Sequence, residues 1–231
     1  MAMALDLASI RAVTFDCYGT LVDWDAGIRA YVEPLLERAA RAGKRVEPAE
    51  WIARWEGIQF AMLGTYRPYS VILADSFART MRALELESFA DGGPGLVRSL
   101  GEWPPFADTV PALRRMARRR RLGIVSNIDR ALLAETLGRL QVPLSMLVTA
   151  EDAGAYKPDP APFRLALSRL GLPAGQVLHV AFGAKYDLQP ARALGLRTCF
   201  VDRGGGRPAG HDADLEVPTL SALAEALEPA P

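Results

Sequence analysis

Ala12-Val13-Thr14-Phe15-Asp16-Cys17-Tyr18-Gly19-Thr20-Leu21 is the stretch on which the fold turns. Its four apolar or β-branched residues predict a buried strand, closed into a loop by Asp16 and the turn-forming Gly19. The chain then changes character. From Asp25 to about Leu100, amphipathic helical stretches are expected near 26–42, 48–63, 69–86 and 94–100, with no strand between them. Past Pro104 the pattern alternates. A helix near 108–119 precedes a strand at 122–126, and a helix at 129–140 leads to a strand at 146–149. A helix at 160–170, a strand at 176–182, a helix at 187–194, a strand at 197–202 and a helix at 218–228 complete the chain. Such alternation predicts an α/β fold, a Rossmann-like parallel sheet with helices on both faces. The helical block interrupts it after the first strand and reads as an inserted all-helical cap. The expected division is a discontinuous core, 1–22 with 104–231, and a cap, 23–103.

The 231 residues carry 27 Lys plus Arg against 27 Asp plus Glu, so no net field draws nucleic acid or anionic lipid. No run reaches the ~18 apolar residues of a membrane span. Asp6 interrupts the apolar start and no basic segment precedes it, so a cytoplasmic protein is expected. Cys17 and Cys199 cannot make a disulfide framework, nor His179 and His211 a His-rich metal site. Only Lys44, Lys157 and Lys185 are lysines, which singles each out. The run Arg114 to Arg121 reads as a solvated helix face. Gly204-Gly205-Gly206 follows a strand, but Arg207-Pro208 prevents a phosphate-binding helix start, so a plain loop is expected. His179 reads as a satisfied strand residue, and Trp24, Trp51, Trp55 and Trp103 as packing for the cap and its hinges.

Ligands of open α/β sheets bind beyond the carboxyl ends of the strands. Asp16, Ser126-Asn127 and Lys157 follow three successive expected strands. Each has an ordinary reading alone: a turn residue, a helix N-cap, a surface cation before Pro158. Together they make a nucleophilic carboxylate with a cation and a hydroxyl beside it.

Phe15-Asp16-Cys17-Tyr18-Gly19-Thr20-Leu21 resembles the first motif of the haloacid dehalogenase superfamily. Ser126-Asn127 resembles its second motif and Tyr156-Lys157-Pro158-Asp159 its third, with matching order and spacing along nearly the whole chain. Phosphatases of the superfamily carry a second Asp two residues after the nucleophile, where this chain has Tyr18. A phenol with a pKa near ~10 is a poor general acid for an alcohol leaving group. Their acidic fourth motif also holds a metal, whereas Ala181-Phe182-Gly183-Ala184-Lys185-Tyr186-Asp187 keeps only its last Asp. Magnesium prefers several hard oxygen ligands.

The Asp-x-Tyr-Gly-Thr pattern is instead similar to the type II 2-haloacid dehalogenases. That resemblance implies an (S)-2-haloacid dehalogenase acting on a small 2-haloalkanoic acid through an aspartyl ester, with no metal and no cofactor. It implies Asp16 as nucleophile, Thr20, Ser126 and Lys157 holding it, and Asp187 with Lys157 handling the hydrolytic water. Backbone amides around Cys17, Tyr18 and Asn127 would take the substrate carboxylate. Arg54 resembles the halide-abstracting Arg of the cap, though it reads equally as an exposed helix Arg; then Gln59 or Arg67 would face the site. Ala181, Gly183 and Phe163 stand where better-known dehalogenases have Ser, Asn and Tyr. Two alternatives remain: a phosphatase with an atypical magnesium site, and a catalytically silent member binding a small acid. Dimers are common in the family, which leaves a homodimer open.

Overall fold

The computed structural model describes residues 5–204 and 212–228. Within them six strands form one parallel sheet in the order β3-β2-β1-β4-β5-β6. The strands are β1 (Ala12–Phe15), β2 (Arg121–Ser126), β3 (Met146–Thr149), β4 (Val177–Ala181), β5 (Arg197–Val201) and β6 (Leu215–Val217). The order reverses at β1, so a crevice opens between the carboxyl ends of β1 and β4, the place where doubly wound sheets bind ligands.

Alternation along the strands builds two layers. Val13 and Phe15 join Leu178 and Val180 against α5 (Thr109–Ala117) and α10 (Leu220–Ala226). Ala12 and Val177 face the other way, toward α8 (Ala161–Leu170) and α9 (Gln189–Ala193). Burial on both sides explains why these strands read as continuous apolar runs. On the first face α6 (Arg130–Leu140) contributes Leu132 and Leu133.

Between β1 and α5 lie only helices: α1 (Trp24–Arg41), α2 (Pro48–Ala61), α3 (Tyr69–Ala83), α4 (Pro94–Ser99) and two short 3-10 turns. Asp23 starts α1 by accepting the Ala26 N–H, an N-cap that satisfies one of the helix's orphan donors. Ile28, Val32, Leu36 and Ala39 recur at helical spacing on its buried face. In α2 the buried residues are Trp51, Ile52, Trp55 and Gln59. Trp51 stacks on Trp55 and tilts against Phe77 of α3, with ring centroids 6.0 and 5.6 Å apart. Trp55 donates to Ser76 Oγ at 3.0 Å. Trp51 and Trp55 therefore pack the block, as expected.

The outgoing and returning connections run side by side. Asp23 N–H donates to the Pro104 carbonyl, and Phe106 N–H to that of Leu21. Further out, Asp129, just before α6, accepts from the N–H groups of Tyr69 and Ser70 at 2.6 and 2.9 Å and from Ser70 Oγ at 2.7 Å. A core carboxylate thus caps α3.

Three details depart from the sequence reading. The three-residue β6 and the four-residue α7 (Ala150–Ala153) were not expected; both are too short to show a period. The expected helix at 187–194 begins instead as a π-turn over Ala184–Leu188. Gly204 has a left-handed φ of 83°, while Gly205, Gly206 and His211 lie outside the described residues. Among the described residues, no helix is long and apolar enough to cross a membrane.

Candidate active site

Asp16 follows the last residue of β1, on the same side of the sheet as Thr14 by strand alternation. Its Oδ2 accepts from Thr20 Oγ1 at 3.0 Å, and Thr20 Oγ1 in turn accepts the Phe182 N–H at 3.3 Å. Gly19 makes that tight return possible. Its φ is 92°, and a Cβ there would meet the Phe182 ring at 2.3 Å.

Lys157 is 2% exposed and donates three ways: to Asp16 Oδ1 at 2.9 Å, Asp187 Oδ1 at 2.5 Å and the Val125 carbonyl at 2.9 Å. Asn127 holds the lysine backbone, accepting its N–H at 2.7 Å and donating to its carbonyl at 3.1 Å. The Asn127 side chain is thereby committed to positioning Lys157. Ser126 ends β2 and lines the cavity beside it.

Asp187 comes from the π-turn, whose extra residue carries it inward to Lys157. Sequence reasoning missed its second partner. His179 Nε2 lies 3.3 Å from Asp187 Oδ1, and its Nδ1 lies 3.0 Å from Thr14 Oγ1 on the paired strand. Phe163 stands edge-on to the imidazole at 4.8 Å. The available signal was alternation: Val177, His179 and Ala181 share one face of β4, the face of Thr14 and Asp16.

The electrostatics follow from burial and one shared cation. Burial opposes the charge on Lys157, but Asp16 and Asp187 outweigh it and hold the ammonium above its ordinary pKa. Burial likewise opposes charge on Asp187, yet Lys157 and His179 together keep its carboxyl below the usual value. Asp16 fares less well. Burial pushes it up, Lys157 pulls it back incompletely, and the Asp187 charge adds to the rise. Two carboxylates thus share one cation. His179 is pushed below its ordinary pKa by burial, only partly opposed by Asp187.

Above this floor lies a cavity of about 140 Å³. Trp24, Trp55, Tyr69, Trp103, Phe182 and Tyr186 give it aromatic walls, and α2 forms its roof through Trp55, Glu56, Gln59 and Phe60. Tyr18 stands in the wall with its hydroxyl bonded to Thr136 Oγ1 at 2.7 Å, and burial pushes the phenol well above its ordinary pKa. The Cys17 thiol is buried in the apolar core, outside the cavity wall, and its backbone bonds Asp16. Arg54 is a correction. It is exposed and lines an outer groove with Glu50, Gly57 and Ile58. Residues i, i+4 and i+5 from Trp55 turn to the cavity, and Arg54 sits on the opposite side of α2. Of the two residues then expected to face the site, Gln59 lines the cavity, whereas Arg67 bonds Asp75 at 3.1 Å.

The residues present do not fit magnesium. Both carboxylates place Oδ1 on the Lys157 ammonium, and Phe182 offers a ring where an acidic ligand would stand. Among the described residues, no cluster of three His, Cys, Asp or Glu side chains is disposed to hold a metal.

The family description "haloacid dehalogenase-like hydrolase" matches residues 10–195. The chain belongs to that family of hydrolases. Haloacetate dehalogenase H-2 of Moraxella sp. (strain B) is 25% identical over 226 residues, covering 94% of this chain and 97% of that one. The crystal structure of a defluorinating L-2-haloacid dehalogenase superposes with a TM-score of 0.81 at 25% identity, over 98% and 99% of the two chains. A plasmid phosphoglycolate phosphatase of Cupriavidus necator is 39% identical over 133 residues, 55% of this chain and 56% of that one. The chain is thus similar to proteins of both reactions, and it shares its fold with the haloacid dehalogenase structure.

Proposed function

We propose that this haloacid dehalogenase-like hydrolase displaces halide from small 2-haloalkanoic acids and releases 2-hydroxy acids. One observation carries the reading: the position two residues after Asp16 supplies no acid. The Tyr18 hydroxyl is bound to Thr136 and its pKa is pushed up. A leaving group must then depart unprotonated, which halide does and an alcohol does not.

An Asp16 carboxylate oxygen forms the new C–O bond with its lone pair, and the C–halogen bond breaks with its pair leaving on the halide. No proton moves in this step. Water then adds to the Asp16 ester carbonyl, giving its proton toward Asp187. Lys157 and Thr20 hold the negative charge that develops on the Asp16 oxygens. Cleavage passes the proton held at Asp187 to the departing alkoxide oxygen, which frees the hydroxy acid, and Asp16 returns to a carboxylate as its own carboxyl proton goes to solvent. The backbone N–H groups of Tyr18 and Asn127, two residues of the cavity lining, take the substrate carboxylate in this reading, and Ser126 lines the same floor. Residues 1–22 with 104–231 act as the core and 23–103 as the cap, in a cytoplasmic enzyme that needs no cofactor.

A magnesium-assisted phosphatase is the second reading, favoured by the local likeness to a phosphoglycolate phosphatase. Halide release from a panel of 2-chloro and 2-bromo acids, with chelator present, separates the two. Sustained release supports the proposal. No release, with magnesium-dependent hydrolysis of phosphate monoesters, overturns it.

A further inference from the structure

Gln59 is buried to 5% exposure in the cavity roof, and its Nε2 has no hydrogen-bond partner. Four other polar groups of the wall are engaged within the protein. Trp55 Nε1 donates to Ser76, Trp103 Nε1 to Ser99, Tyr18 bonds Thr136, and Asn127 bonds the Lys157 backbone. Toward the Tyr69 hydroxyl the Gln59 side chain acts as a donor that partly offsets the burial of the phenol, at a geometry too loose for an ordinary hydrogen bond from Nε2. A buried donor left unmade is costly, which marks it as kept for something that enters the cavity.

The direction of displacement says what enters. Asp16 attacks from the floor, so the bond that breaks points away from it, toward α2. Among the described residues lining the cavity Lys157 is the one cation, and it is bound on the floor to two carboxylates. Arg54, the cation of α2 nearest in sequence, faces the outer groove. We propose that the Gln59 side-chain amide N–H receives the departing halide, making the leaving-group site neutral rather than cationic. The inference rests on the dehalogenase reading and deepens it. A neutral donor gives little extra help to a poor leaving group, so the substrates are bromo and chloro acids rather than fluoro acids. Glu56, in the same roof, repels the released anion and favours its exit.

The test uses Gln59→Leu, close in shape and without the donor, together with the parent protein. Single-turnover displacement of bromide from 2-bromopropionate should fall about ten- to a hundredfold, the weight of a hydrogen bond to an anion. Thermal stability should hold or rise, because an unpaired buried donor has gone; a merely structural Gln59 would lower it. Bromide quenching of tryptophan fluorescence needs no turnover. It should saturate in the parent and become non-saturating in Gln59→Leu. Unchanged displacement in the variant, or identical quenching in both proteins, overturns the role of Gln59. If the parent releases no halide while quenching still saturates and is lost in the variant, the dehalogenase reading fails and the anion site stands.

Discussion

Asp16 and Asp187 compete for one ammonium, and the competition has a kinetic signature. The Asp187 charge raises the Asp16 pKa, so Asp187→Asn should move the acid limb of Asp16 alkylation to lower pH. Single-turnover halide release across pH measures it, independently of the later ester hydrolysis in which Asp187 is proposed to act. His179 gives a signature in stability. Its folded pKa lies below the ordinary 6.5, so the unfolded chain binds the extra proton. Its contribution is therefore complete above 6.5 and lost as pH falls below that value. His179→Gln should flatten the pH dependence of chemical unfolding below 6.5; an unchanged slope would show that His179 does not titrate on unfolding. Asp16, Ser126 and Lys157 were legible because strand ends can be read from apolar runs. Arg54 was not, because a helical residue one place from Trp55 lies about 100° around the axis, and the sequence does not say which face meets the site.

Among elements, α3 depends on a cap from far along the chain. Asp129 accepts its first N–H groups, and Pro68, at the local N-cap position, makes no side-chain bond there. Asp129→Ala should cost about 1–2 kcal/mol, typical of a lost N-cap, and raise KM as the α3 end of the cavity loosens. Thermal unfolding and initial rates check both. An unaltered melting temperature would contradict the cap. At α1, a Cβ on Gly27 would meet the Trp103 ring at 2.2 Å. Gly27→Ala should destabilise by about 1–3 kcal/mol, as overpacking does, and disturb a wall of the cavity. The helix and strand alternation was legible in the sequence because periods of 3.6 and 2 persist over many residues. The π-turn that delivers Asp187 was not: it inserts one residue within five, too short a stretch to carry a period.

At the scale of the molecule, reversal of strand order at β1 brings the ends of β1, β2 and β4 together with the lysine loop after β3. Chain segments up to 141 residues from Lys157 thereby meet on its ammonium. The paired crossing at Asp23–Pro104 holds the helical block over that crevice, where the proposed reaction places a small acid against the Asp16 carboxylate. The central consequence of the proposed reaction is a covalent Asp16 ester opened by water at its carbonyl carbon. In one turnover the water oxygen then stays on the protein. Mass spectrometry of enzyme in excess over 2-bromopropionate in heavy-oxygen water is the most direct measurement. The expected result is heavy oxygen in the peptide bearing Asp16, with unlabelled hydroxy acid and no label in Asp16→Asn. Heavy oxygen in the hydroxy acid and none in that peptide would mean that water attacks the substrate directly, and that Asp16 is not the nucleophile.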